Sequence, residues 1–586
     1  MKRFLTYLLA TIVGIILSSI VLFFISMGVI SAIVSSQEKA VEIKPNTVLY
    51  LKLDQPIVDR KPSMPLNLGS ITGNQKLGLN EILANIDKAK SDENISGIYL
   101  DLSYVQAGYS TIEEIRNALL DFRASGKFVI VNSKMLSQGA YYLATAADAI
   151  YLNPVGYLEW VGLRTQSPFF KNTLKKLDIE ATVIRYGKFK SAGENFTEAG
   201  YSPENREQLK QLISTIWENI CSNVALQRGI TPEKLNEIAE KLLIDNPIKA
   251  YKLGLVDSLL YGDEVLNIIK NKIGIDPIKD LNTVQLNSYK RVPAHRNYKG
   301  LAKDKIAVIY ALGEIVDFNG DDQSISADKY VQTIRKARKD SSVKAIVLRV
   351  NSPGGSALAS EEIWHELELT RTVKPIVVSM GDVAASGGYY ISCIADTILA
   401  HPSTITGSIG VIGMHLNMKG MFEKAGITFD TEKTNTYSDF LSGVRPASQY
   451  ELNYWQRMVD SIYHTFVSRV DEGRELNFEQ IDAIGQGRVW SGTDAMKIGL
   501  VDRMGGLTDA IEIARNMAGL NEKYRIVELP RLEDPIEKLL KEFAEGVKVR
   551  LLNDDLGISE EYIHAVKYLV KNQGILTRLP FDIFIY

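Results

Sequence analysis

The chain repeats itself. Val48–Asp59 is echoed by Ile306–Asp317, and Gly97-Ile-Tyr-Leu-Asp-Leu102 returns as Ala345-Ile-Val-Leu-Arg-Val350, 248 positions later. The same spacing relates Gln138-Gly-Ala-Tyr-Tyr142 to Ser386-Gly-Gly-Tyr-Tyr390, Ala147-Asp148 to Ala395-Asp396, and Pro154 to Pro402. Further on, Ala250-x-Lys-x-Gly-Leu-Val-Asp257 matches Ala495-x-Lys-x-Gly-Leu-Val-Asp502. Colinear matches over this length mean two copies of one domain.

Each copy alternates two kinds of segment. Runs such as Ile346–Val350 and Ile376–Met380 are too uniformly apolar to alternate and predict buried strands. Between them, Ser360–Thr370 sets Ile363, Leu367 and Leu369 among charges and predicts an amphipathic helix. Strands alternating with helices give an α/β fold with a largely parallel sheet. The expected divisions are a first repeat over 46–290, a second over 303–520, and a basic linker over 291–302, within the stretch from about Ser288 to Lys303. A C-terminal extension over 521–586 contains charged, helix-like segments such as Pro535–Leu551 and carries no functional signal.

Ahead of the first repeat, Lys2 and Arg3 precede an apolar run from Phe4 to Val34. About 20 apolar residues span a bilayer, whereas a cleavable signal has an apolar stretch of about 7–15. The exit Ala32-Ile-Val-Ser-Ser36 is a poor cleavage site. Residues 1–45 are therefore expected to hold an uncleaved transmembrane helix, in contact with lipid through residues 4–34. The two cations keep the N-terminus cytoplasmic and everything downstream crosses the membrane. A net charge of -3 and the lack of a basic stripe give no case for nucleic acid. Cys221 and Cys393 have neither zinc-site spacing nor the numbers for a disulfide framework, and are expected to be small buried thiols.

Three patches in the second copy can carry chemistry. Asn351-Ser-Pro-Gly-Gly355 follows a strand, and paired glycines there let backbone N–H groups reach an oxyanion, although such a turn also simply ends strands. In Gly381-Asp-Val-Ala-Ala-Ser-Gly-Gly-Tyr-Tyr390, Ser386 stands between a strand and a helix expected over Gly387–Ala395. It is there either a nucleophile or an N-cap. Thr406-Gly-Ser-Ile-Gly410 is another tight turn, in which Ser408 reads equally as a turn residue.

A serine nucleophile needs a base. Of the six histidines only His401 lies near the patch in sequence, before a proline, where a loop role suits it better. A lysine could serve if neutral, which requires moving its pKa from about 10.4 to near neutrality, about 4 kcal/mol of burial cost. In the first copy, Val183-Ile-Arg-Tyr-Gly-Lys-Phe-Lys-Ser-Ala192 offers Lys188 and Lys190, the latter flanked by small residues. The repeat sharpens both choices. The first copy has Gln138 where the second has Ser386, and the second has Thr434–Asp439, without lysine, where the first has Lys190. Each half retains one member of a pair.

These motifs, from about residue 46 to 520, resemble the signal peptide peptidase A family in its long, two-repeat bacterial form, also called protease IV. That family is similar in fold to Clp protease and the crotonases. The most specific pieces are Asn351–Gly355, Asp382–Tyr390, Thr406–Gly410 and Tyr186–Ala192. The resemblance implies an α/β tandem duplication of a Clp protease/crotonase-like domain and a serine peptidase with Ser386 as nucleophile and Lys190 as general base. It further implies that Ser408 supports the lysine and that the N–H groups near Gly355 and Gly387 form the oxyanion hole. The implied substrates are released signal peptides. The implied setting is the extracytoplasmic side of a bacterial inner membrane, in ring-like homo-oligomers such as tetramers. No cofactor or metal is expected. Two other classes compete: a crotonase-like acyl-CoA enzyme, which the export signal disfavours, and a non-catalytic membrane scaffold.

Overall fold

A computed structural model of the chain describes residues 43–62, 76–293, 302–317, 322–532 and 574–578, with scattered positions between 3 and 25. The expected anchor over 4–34 falls largely, and the helix-like segment 535–551 and the apolar end 579–586 entirely, outside the described residues, as does most of the linker. Among the described residues, no helix is long and apolar enough to cross a membrane.

In the first repeat, β1 (Thr47–Lys52), β2 (Ile95–Asp101), β3 (Phe128–Leu136) and β4 (Ala149–Leu158) form a parallel sheet in the order β4-β3-β2-β1. Short strands at Ser258–Leu259 and Thr283–Gln285 extend it at its two edges. Helices α1 (Leu79–Ser91) and α2 (Tyr109–Ala124) bury Ile82, Ile86, Ile112, Ile115 and Leu119 against it. A further strand, β5 (Glu180–Tyr186), leaves the sheet altogether, and a long helix, α3 (Pro203–Arg228), packs back.

The second repeat restates this plan with β6 (Lys305–Leu312), β7 (Glu314–Val316), β8 (Val343–Ser352), β9 (Gly354–Ser356), β10 (Ile376–Ala385), β11 (Ile405–Gly407), β12 (Val411–Asn417), β13 (Val489–Ser491) and β14 (Arg525–Leu529). Its main sheet runs β13-β11-β10-β8-β6-β14. The copies match down to an irregularity. The β1–β2 register slips between Thr47 and Val48, and β6–β8 slips between Lys305 and Ile306. The expected strands and the helix, now α4 (Ala357–Arg371), are all present, with β10 running on to Ala385. Ser288 and Tyr289 end a helix of the first repeat, inside its expected 46–290 bounds, and the buried Tyr289 hydroxyl donates to Asp92. The second repeat runs past its expected end at 520, because β14 pairs with β6 and closes the sheet.

The two copies share their interior. Ala385, Ile405 and Val489 of the second pack into the hydrophobic core of the first. Between the copies, Arg349 is wholly buried and donates to Asp59 (2.6 Å) and Glu114 (2.8 Å). Charges so buried are tolerable only when paired and hydrogen-bonded. Thr111 likewise donates its N–H and hydroxyl to Asp382. Both cysteines are free and buried.

A third sheet mixes the repeats. Strand β5 of the first pairs antiparallel along all of β12, from Val411↔Tyr186 to Asn417↔Glu180. This ladder carries the segment after Tyr186 into the second repeat.

Candidate active site

Ser386 follows the last residue of β10 and precedes a single turn, α5 (Gly387–Tyr390). Its φ of 56° is unusual for a residue with a side chain. Its N–H donates to the Gly407 carbonyl on β11 (2.8 Å), which holds the bend. The side chain makes no N-cap hydrogen bond. The helix expected over Gly387–Ala395 stops early because the N–H groups of Ser392 and Cys393 both turn to the Tyr389 carbonyl, so the ladder ceases to advance. One turn supplies little dipole, so what activates Ser386 must come from elsewhere.

The amine beside it comes from the first repeat. Lys190 Nζ lies 2.8 Å from Ser386 Oγ, 3.1 Å from Ser408 Oγ and 3.2 Å from the Ser408 carbonyl. Lys190, Ser386 and Ser408 have no exposed surface. Burial alone holds the lysine pKa well below its ordinary value, with no carboxylate raising it back. A buried, unpaired ammonium is costly, so the neutral amine is favoured and can accept a proton from a hydroxyl. Gly487 makes room: a Cβ there would lie 2.5 Å from Lys190 Cα, and its φ is +82°. Ser408 is itself pinned, its N–H donating to the Arg488 carbonyl (2.7 Å).

Pairing of Ser352 with Ala384 sets the Ser-Pro-Gly-Gly turn beside the strand that bears Ser386. Gly355 has φ +156° and packs where a Cβ would fall 2.0 Å from the Ile315 carbonyl oxygen. Gly387 directly follows Ser386 and is buried.

The other sequence candidates lie elsewhere. Lys188 is exposed, its ammonium above the Phe189 ring. His401 is buried at the repeat interface, with Nε2 3.7 Å from Glu114 and its pKa lowered by desolvation. It faces Glu114, not Ser386. In the first copy, Gln138 occupies the position of Ser386. Its carbonyl accepts from Val161 and Gly162 N–H groups and its amide donates to Tyr109. The equivalent hydroxyl is thus replaced by a satisfied structural amide.

Three residues that hold the lysine segment escaped the sequence reading. Gln208 on α3 donates to the Phe189 carbonyl (3.0 Å) and the Ser191 hydroxyl, and accepts from Val489 N–H. Arg185 donates to the Lys190 carbonyl and to the buried Glu194. An acid four residues after Lys190, beside an arginine five before it, was the available signal. Gln208 left none.

Compared with known proteins, residues 121–276 and 368–521 match the sequence profile described as Peptidase family S49. The chain belongs to peptidase family S49. It is 36% identical to Protease 4 of Salmonella typhi over 81% of this chain and 79% of that one. With the chloroplastic serine protease SPPA of Arabidopsis thaliana it shares 33% identity, over 83% and 74% of the two chains. A mutant ClpP1 from Listeria monocytogenes aligns over 35% of this chain and 94% of its own at 16% identity, with a TM-score of 0.24, a likeness too slight to argue from. As an S49 member the chain is a serine peptidase, and the acyl-CoA and scaffold alternatives fall away. Both S49 matches fall on the duplicated halves, one containing Lys190 and the other Ser386.

Proposed function

We propose that this S49 peptidase is a membrane-bound endopeptidase that uses a Ser386/Lys190 dyad to degrade released signal peptides and other apolar peptides. The observation that carries the dyad is the 2.8 Å contact between a fully buried, carboxylate-free lysine and the Ser386 hydroxyl. Neutral Lys190 takes the Oγ proton as Ser386 attacks the scissile carbonyl. The new ammonium is held by the hydroxyl and carbonyl of Ser408. The N–H groups of Gly355 and Gly387 receive the oxyanion, each such donor being worth about 3–4 kcal/mol in the barrier. Lys190 then protonates the leaving amine, the acyl-enzyme forms, and a water deprotonated by the again neutral lysine releases the product.

The membrane setting is supported by the apolar run 4–34 behind Lys2 and Arg3, with the catalytic repeats outside the cytoplasm. A homo-oligomeric ring and signal-peptide substrates are supported by the family resemblance. The deciding experiment assays a fluorogenic apolar peptide across pH 6–10 with wild type, Ser386→Ala, Lys190→Ala and Lys188→Ala. Activity confined to wild type and Lys188→Ala is expected. Full activity in Lys190→Ala removes the base, and full activity in Ser386→Ala removes the mechanism. For the anchor, carbonate-resistant membrane association that disappears on deleting residues 1–42 is the expected result.

A further inference from the structure

A short strand near the C-terminal end of the chain lies between the two strands that flank the proposed dyad. Strand β15 (Gly574–Arg578) lies antiparallel to β9 on one side and to β12 on the other. On the β9 side Gly354 pairs with Arg578, Gly355 with Thr577, and Ser356 with Leu576. On the β12 side Ile412 pairs with Leu576, Gly413 with Ile575, and Met414 with Gly574. Both edges frame the proposed dyad. Strand β9 contains Gly355, and β12 starts directly after Gly410, where a Cβ would touch Lys190 Cδ at 3.1 Å. Beyond its strand pairing, β15 is fixed by an ion pair from Arg578 to Glu314 (3.2 Å), with both side chains mostly buried.

Two open strand edges a strand's width apart recognise an extended peptide by main-chain hydrogen bonding. A peptide entering there in the direction of β15 advances its carbonyls past Gly355 and toward Gly354. We propose that β15 is an intramolecular competitor that holds the place of an extended peptide substrate, so that substrates bind by displacing it. This rests on the reading of Ser386 as nucleophile. Because β15 belongs to the same polypeptide as the site, its local concentration there does not depend on that of the protein. Incoming peptide competes with a local ligand that dilution cannot remove.

The test compares the full chain with a chain lacking residues 574–586 and with full-length Arg578→Glu, which sets like charges against each other at Glu314. Intact mass before assay establishes that the full chain retains residues 574–586. On the fluorogenic peptide, KM is expected to fall about tenfold on truncation, with kcat unchanged. It should fall in the same direction, by less, in Arg578→Glu. A synthetic peptide of residues 572–586 should inhibit the truncated chain competitively. Equal KM in all three proteins, or no inhibition by the peptide, overturns the proposal. Labelling of Ser386 by a serine-directed phosphonate separates the two readings. Labelled chains with equal KM sink the competitor alone, whereas chains that neither label nor cleave sink the dyad and the competitor with it.

Discussion

A lysine acts as a base only in its neutral form, and at Lys190, the proposed base, burial works toward that form at a cost in stability. The unfolded chain keeps the lysine proton up to a pH of about 10.4, whereas the folded chain gives it up earlier. Across that interval the unfolded state binds more protons, so this residue makes stability rise with pH. Lys190→Met should therefore lose at least ~10²-fold in kcat/KM and yet be more stable than wild type at pH 7. That stabilisation should shrink as pH approaches the unfolded value, which melting temperatures at a series of pH values would show. The acid limb of the wild-type rate profile should lie below the ordinary lysine range for the same reason. Ser408→Ala removes an acceptor that favours the ammonium. Its loss should lower kcat about 10–100-fold at nearly constant KM, and move the acid limb to lower pH. An unmoved limb would mean that Ser408 does not touch the titrating amine.

At the scale of elements, the site depends on one strand leaving its own repeat. The β5–β12 ladder delivers Lys190, and Gly487 leaves the space that the lysine backbone occupies. Gly487→Ala should push that backbone away and strain a positive-φ position. A loss of ~10²-fold or more in kcat/KM is expected, with near-ultraviolet circular dichroism unchanged; retained activity would show that the lysine segment tolerates displacement. The sequence made much of this legible, because apolar runs and a fixed repeat spacing survive in linear order. It placed Ser386 after a strand and singled out Lys190 by comparing the copies. It could not show that β5 pairs with the other copy, since strand partners are chosen by tertiary packing. Nor could it find Gln208, whose role exists only once a helix from one copy reaches the carbonyl of Phe189 and the amide of Val489. The short turn after Ser386 reads in sequence as a longer helix because its residues are apolar and small, which suits a buried turn equally well.

Over the whole molecule, the two repeats stand or fall together. Arg349 of the second neutralises Asp59 and Glu114 of the first. Arg349→Met should leave two buried carboxylates uncompensated and cost about 3–5 kcal/mol, read as a lower urea midpoint. An unchanged midpoint would show that water already reaches this cluster. His401, the sequence's second candidate base, belongs to this interface, and only three-dimensional contact with Glu114 reveals it. The division of the proposed dyad also has a meaning in time. Lys190 leaves the ribosome 196 residues before Ser386. At about 5–20 residues per second, that is an interval of roughly 10–40 s. Throughout it the growing polypeptide carries a lysine still exposed and protonated, because the residues that bury it belong to the second repeat, and it has no hydroxyl to activate. Gene order alone thus keeps the nascent peptidase silent until synthesis has passed the second half's serine, with no separate pro-segment required for that delay.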